Sequence, residues 1–254
     1  MVALEGRTAL VTGGSRGIGR AVALGLAGAG ARVIVAARAR TTLEAVCREL
    51  EAAGSPAAVA IEMDVASPVA IEAALAAIRS RGLGVDILVN NAGIAESAPL
   101  ARTDPALWGR HLAINATAPY LLTRALLPGM LERRWGRVIN MASMAGLGGA
   151  PYIAAYAASK HALVGFTRAL AAETAGTGVT VNAVCPGYAA TDMVWEGARR
   201  IQAKTGRSFD DAVHAMAASN ASGRLIEPAE VAAAVLALAG DAGAGRTGEA
   251  LTLS

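Results

Sequence analysis

The chain repeats one unit along its length: a short apolar run rich in Val and Ile, a glycine or polar turn, then an Ala/Leu-rich helical stretch. A parallel sheet uses such a unit, because parallel neighbours need a long crossover and the crossover helices cover the faces of the sheet. Apolar runs fall at 8–12, 32–37, 57–63, 85–90, 136–141, 179–184 and 250–253, and helical stretches begin near Gly17, Thr41, Pro68, Asp104, Ala154 and Pro228. Ile87-Leu88-Val89 and Val138-Ile139 are apolar at every position, as strands buried on both faces should be. The pattern predicts a doubly wound α/β fold with a seven-stranded, mostly parallel sheet and helices on both faces. No Pro/Gly/Ser-rich linker and no fixed-period repeat divides the chain, so a single domain over 1–254 is expected. Residues 191–226 break the alternation with helical segments and no strand, where a substrate lid is expected.

Composition narrows the class of function. The 254 residues are 54% hydrophobic, enough for a sizeable core, and their formal charge of +3 is spread without a run of either sign. No concentrated basic patch points to nucleic acid, and the expected partner is a small molecule. Cys47 and Cys185 form no C-x-x-C pair, and His111, His161 and His214 lack close ligand spacing, so no metal site or disulfide framework is signalled. No apolar run reaches the roughly 18 residues of a membrane span. The opening residues, with Glu5 before the first strand, are in the wrong order for a cleaved signal, and a soluble cytoplasmic protein is expected.

Between the first strand and the first helical stretch lies Thr12-Gly13-Gly14-Ser15-Arg16-Gly17-Ile18-Gly19. Gly13 permits a tight turn, Gly17 lets the backbone approach a pyrophosphate, and Gly19 lets helix and sheet pack closely. The helix N-terminus then offers free N–H groups and a positive dipole end to the anion. The spacing G-x-x-x-G-x-G is not that of a P-loop, which disfavours phosphoryl transfer from ATP.

Together with Asn90-Asn91-Ala92-Gly93, Asn115, Ser143, Tyr156-x-x-x-Lys160 and Pro186-Gly187, in that order, this turn makes the chain resemble the short-chain dehydrogenase/reductase family over nearly its whole length. The resemblance implies a single-domain Rossmann fold binding a nicotinamide dinucleotide. It implies cofactor contacts from Gly13, Ser15, Arg16, Gly17, Ile18 and Gly19, from Asp64 and Val65 at the adenine, and from Asn91, Ala92 and Gly93 along the adenosine side. Asp64 serves equally well as a helix cap. Pro186, Gly187, Ala189 and Thr191 are expected to pass over the nicotinamide, with Thr191 at its carboxamide.

The second strand reads Val33-Ile34-Val35-Ala36-Ala37-Arg38, with alanine where an NAD-preferring site carries an acid. Arg38 with Arg16 suits a 2′-phosphate, since two guanidiniums make charge-assisted, bidentate bonds to it. NADP(H) is therefore expected over NAD(H), the alternative being that Arg38 and Arg40 are solvated charges at a strand end.

Tyr156 and Lys160 stand four apart on a helical stretch and share a face. A phenol near pKa 10 exchanges protons poorly at neutral pH, and a neighbouring ammonium lowers that value. The resemblance makes Tyr156 the proton donor in reduction and a cofactor contact, Lys160 its tuner and a ribose contact, and Ser143 a hydrogen-bond donor to the substrate carbonyl. It gives Asn115 a water held against Lys160; a structural role for that amide is equally natural.

In the lid, Met193, Val194 and Trp195 offer apolar cover for a substrate, and Arg199, Arg200, Lys204 and Arg207 lie in its outer portion, a pairing suited to a thioester on an anionic arm. The lid resembles those of 3-oxoacyl-thioester reductases and polyketide ketoreductases; a solvated amphipathic helix pair is the alternative. The resemblance also implies a homotetramer, with Trp108, Phe166 and the alanines of 169–172 as candidate contacts. Three functions follow: an NADPH-dependent ketoreductase, an NAD(P)+-dependent dehydrogenase of a secondary alcohol, and a nucleotide-sensing protein without catalysis, which the presence of both Tyr156 and Lys160 disfavours.

Overall fold

The computed structural model describes residues 3–254. Seven strands, β1 (Thr8–Thr12), β2 (Arg32–Ala37), β3 (Ala58–Glu62), β4 (Ile87–Asn90), β5 (Gly136–Met141), β6 (Val179–Pro186) and β7 (Ala250–Leu253), form one sheet in the order β3-β2-β1-β4-β5-β6-β7. Every neighbouring pair is parallel. The chain builds outward from β1 through β2 to β3, then returns to lay β4 on the other side of β1. That reversal opens a crevice at the carboxyl ends of β1 and β4, where ligands bind in folds of this kind.

Helices α1 (Gly17–Gly28), α2 (Arg40–Ala52), α3 (Pro68–Ser80), α4 (Pro105–Leu112), α5 (Ala118–Glu132), α6 (Ala154–Glu173) and α9 (Pro228–Ala239) cover the sheet. Because side chains alternate along a strand, Ala9 and Val11 face Val22, Leu26, Val235 and Leu238 in one apolar layer. Leu10 faces the opposite way, into a layer with Ile71, Leu75 and Leu122. Both faces of β1 are thus buried, which is why its apolar run has no polar alternation. Helices α1 and α9 pack closely against each other, and a Cβ on Gly25 would lie 2.8 Å from Leu236.

Two expected boundaries shift for identifiable reasons. The fourth strand begins at Ile87, not at residue 85, because side chains take the backbone groups that would extend the pairing: Asp86 Oδ2 accepts from the Thr8 N–H at 3.0 Å and Arg133 Nη2 donates to the Val85 carbonyl at 2.8 Å. β6 runs on to Pro186 because β7 pairs with it as far as Leu253.

The helix expected as one piece from Asp104 is broken by a π-helical turn, Ala113–Thr117, between α4 and α5. Pro119 lacks the N–H that would bond back to the Asn115 carbonyl, and the Asn115 side chain is held from outside the helix, so the wider turn is favoured there. Segment 191–226 folds as α7 (Asp192–Thr205) and α8 (Phe209–Ala217), closed by an isolated bridge between Ala189 and Ile226. No helix among the described residues is long and apolar enough to cross a membrane.

Candidate active site

The turn after β1 adopts the backbone its glycines permit, with φ +63° at Gly13 and +53° at Gly17. A Cβ on Gly19 would run into the Gly13 carbonyl and the Asn91 amide. Asn91, beyond the end of β4, clamps this turn: its Nδ2 donates to the carbonyls of Thr12 at 2.8 Å and Gly13 at 3.2 Å. The Thr12 hydroxyl in turn accepts from the N–H groups of Asn91 and Ala92, each at 3.0 Å. The sequence reading gave Asn91 a place in the cofactor lining and missed this clamp.

A groove of about 520 Å3 opens over the turn. Its floor is Gly13, Ser15, Arg16, Gly17, Ile18 and Gly19; Arg38, Asp64 and Val65 line one end, and Asn91, Ala92, Gly93, Thr191 and Met193 the other. Ala36, Ala37, Ile94, Ile114 and Asp192 join them, none of which the sequence singled out as a contact. The groove fits a dinucleotide on three observations. The first turn of α1 carries no acid and no side-chain cap, leaving its N–H groups for an anion. A Cβ on Gly17 would meet the Thr191 methyl at 3.4 Å, so the missing side chain keeps the crevice open. At the end of β2 the lining is alanine followed by arginine, with no carboxylate.

Asp64 both lines the groove and accepts from the Ala66 N–H at 3.0 Å, forming a turn. The cap of α3 is Ser67, not Asp64. Arg16 does not stand free beside Arg38: its guanidinium pairs with Asp192, at the start of α7, at 3.1 Å. Pro186, Gly187 and Ala189 form the turn that delivers Thr191, tied down by the bond from the Gly187 N–H to the Leu253 carbonyl and by the Ala189–Ile226 bridge. The organiser there is Asn220, which sequence reasoning missed. It accepts from the Tyr188 N–H at 2.9 Å and donates to the carbonyls of Tyr188 at 2.9 Å and Arg224 at 2.6 Å.

Beyond Gly93 the structure brings together Asn115, Ser143, Tyr156 and Lys160. Lys160 is buried, and its Nζ donates to the Met141 carbonyl at 2.7 Å while standing 5.9 Å from the centre of the Tyr156 ring. A Cβ on Gly93 would lie 3.1 Å from Asn115 Oδ1 and 3.6 Å from Lys160 Nζ, so the bare glycine lets both groups reach the edge of the groove. Asn115 is committed to backbone and helix: it accepts from the Ile94 N–H at 3.0 Å and donates to the Ile94 carbonyl at 3.0 Å and to Ser159 Oγ at 2.9 Å.

The electrostatics differ from the sequence expectation. Part of Tyr156 is open to solvent, yet its phenol is ringed by protein, and that burial pushes its pKa up while the Ser143 hydroxyl draws it down. Burial acts on Lys160 as well, lowering its pKa to about 8. Both groups are desolvated, which disfavours phenolate and ammonium alike. Cys185, buried on β6, adjoins the cluster with its thiol pushed up by burial.

Segment 191–226 corrects two further expectations. Of the three apolar residues, Met193 is exposed and in the groove, whereas Val194 is buried and Trp195 packs on Phe209 with ring centres 6.4 Å apart. Arg200 turns inward, its Nη2 donating to the Ala95 carbonyl at 3.3 Å, and so leaves the outer cluster. Arg199 lies over the Phe209 ring; Lys204 and Arg207 are exposed. No group of three or more His, Cys, Asp or Glu among the described residues is placed to hold a metal ion.

The family described as short chain dehydrogenase matches residues 7–201 of this chain. A 3-oxoacyl-[acyl-carrier-protein] reductase of Vibrio cholerae is 42% identical over 248 residues, covering 98% of this chain and 96% of its own. A D-beta-hydroxybutyrate dehydrogenase of Cupriavidus necator is 39% identical, with 94% and 93% covered. A crystal structure of an actinorhodin polyketide ketoreductase variant with NADPH superposes with a TM-score of 0.92 at 39% identity, covering 100% of this chain and 97% of that one.

Proposed function

This chain belongs to the short-chain dehydrogenase/reductase family and is an oxidoreductase acting on the CH–OH/C=O couple; on that premise we propose that it reduces a 3-oxoacyl thioester to the secondary alcohol, using NADPH. The observation that carries the reading is the placement of Tyr156 beside Ser143 and Lys160, next to a groove that fits a dinucleotide and carries an arginine where an acid would exclude a 2′-phosphate.

A bound nicotinamide supplies the hydride. In this reading the open N–H groups of α1 hold the pyrophosphate, and Arg38 with Arg16 holds the 2′-phosphate, Arg16 after leaving Asp192. The Ser143 hydroxyl donates to the substrate oxygen as negative charge gathers there. Tyr156 Oη gives its proton to that oxygen, forming the O–H of the product, and regains a proton from solvent. A phenol whose pKa is raised by burial stays protonated at neutral pH, the state that reduction requires. Lys160, anchored on Met141, fixes the ammonium beside the ring.

Met144, Leu147, Tyr152, Tyr188 and Met193 are all exposed and lie close in sequence to Ser143, Tyr156 or Thr191, an apolar border suited to an acyl chain. Relatives named as 3-oxoacyl-[acyl-carrier-protein] reductases support the same class. Segment 191–226 is the proposed lid. A homotetramer in the cytoplasm completes the proposal, with the Tyr120–Phe166 pair, ring centres 6.2 Å apart and Tyr120 exposed, as part of its contact.

The relative named as a hydroxybutyrate dehydrogenase favours one second reading, oxidation of a 3-hydroxy acid by the same residues. Steady-state rates with acetoacetyl-CoA, free acetoacetate and a cyclic ketone, each with NADPH and NADH, separate the readings. The thioester with NADPH should give the highest kcat/KM; a preference for free acetoacetate and NADH would overturn the proposal.

A further inference from the structure

His111 is fully buried in the last turn of α4, and both of its ring nitrogens are engaged with fixed polarity. Nε2 lies 3.1 Å from the backbone N of Glu96, a group that can only donate, so Nε2 is the acceptor. The proton therefore sits on Nδ1, 2.9 Å from the Leu107 carbonyl, which can only accept. The partners select the neutral Nδ1–H tautomer and leave the ring no freedom to flip. That immobilised ring meets the Tyr156 ring edge to face, with centroids 6.3 Å apart and planes at 73°.

The other end of the tether is itself fixed. Arg110, the neighbour of His111, holds the Glu96 carboxylate through both oxygens at 3.1 and 3.2 Å. Ile94 is held at both its N–H and its carbonyl by Asn115, and the Ala95 carbonyl by Arg200 of α7. Three consecutive residues beside the nucleotide groove are thus pinned in place, and His111 connects them to the phenol.

We propose that His111 is a positioning residue for proton transfer, its ring held by the Glu96 N–H and in turn fixing the orientation of Tyr156. The two side chains approach from different helices, α4 and α6, so the contact ties the ring of one helix to the other. A misoriented donor slows the proton step while the glycine turn and the N-terminus of α1 still hold the pyrophosphate of the cofactor. The inference rests on Tyr156 being the proton donor.

The test compares His111→Phe, which keeps a ring against Tyr156 but loses both polar anchors, with His111→Gln, whose Oε1 can again accept from Glu96. With NADPH and the best ketone of the panel above, kcat should fall about tenfold or more in His111→Phe and by less in His111→Gln. The Kd for NADPH, read by fluorescence, should stay within about twofold, because uniform cofactor binding is untouched. The solvent deuterium isotope effect on kcat should rise in both variants as proton transfer becomes more rate-limiting. Wild-type kcat with an unchanged isotope effect in either variant overturns the inference, as does a loss of NADPH affinity equal to the loss of kcat. Should His111→Phe fail to fold, His111→Gln carries the same criteria. An active Tyr156→Phe enzyme would remove the proton-donor reading itself, whereas a dead Tyr156→Phe beside unimpaired His111 variants would sink this inference alone.

Discussion

Lys160 Nζ donates to the carbonyl oxygen of Met141 at 2.7 Å, so the last residue of β5 anchors the ammonium that stands beside Tyr156. The anchor and the burial act in opposite directions. Burial lowers the Lys160 pKa from 10.5 to about 8, and that shift corresponds to roughly 3 kcal/mol of destabilisation while the group is charged. Losing the ammonium strips the Met141 carbonyl of its partner, which costs about 1–3 kcal/mol.

Lys160→Met should therefore melt close to the wild type at pH 7 while losing turnover. Between pH 8 and 10.5 the unfolded lysine holds a proton that the folded one has released, so wild-type stability rises with pH relative to the variant. Denaturant titrations at pH 7 and 10 measure the difference; a gap that stays constant would show that Lys160 is not desolvated.

Tyr156→Phe removes only the hydroxyl. The loss of a general acid is expected to lower kcat by roughly 10²–10⁴-fold, with NADPH affinity nearly unchanged. Because burial raises the phenol pKa, reduction by the wild type should persist into the alkaline range, and oxidation of the alcohol should accelerate there as phenolate forms. Rate profiles in both directions provide the check.

The Arg16–Asp192 pair is exposed on both sides, and such pairs are worth about 0–1 kcal/mol. Asp192→Asn should release Arg16 for the 2′-phosphate and tighten NADPH binding by up to about fivefold, leaving NADH unaffected. Arg16→Ala should weaken NADPH binding by about 10- to 100-fold, the scale of a hydrogen bond to a charged group. Titration calorimetry with both nucleotides tests the pair; equal effects on NADPH and NADH would refute the phosphate assignment.

Gly19→Ala places a methyl against the Gly13 carbonyl and the Asn91 amide, backbone and clamp atoms that cannot swing aside. Binding of either nucleotide should be lost, with a drop in Tm, since the turn must open to accept the methyl. A variant that still shows a thermal shift with NADPH would contradict the packing assigned to this turn.

How far the fold could be read in advance depended on how local its causes are. Strand and helix positions follow from apolar periods of a few residues, and the glycine turn from backbone angles that few other residues adopt, so these were visible in short windows of sequence. The broken helix was not, because the side chain that distorts it, Asn115, is captured by Ile94, 21 residues earlier. Pro119 was the one local signal for it.

Side-chain direction was still less legible. Arg16 meets a carboxylate 176 residues away, and Arg200 turns toward a carbonyl 105 residues away. The residue types at Tyr156 and Lys160 and their spacing were set by the sequence, as was the sheet that carries them. Their desolvation, which moves both groups toward their neutral forms, was decided only when separate elements closed around them. A period in the chain dictates which faces are buried; the direction of a long polar side chain and the dielectric around it depend on atoms that folding alone brings near.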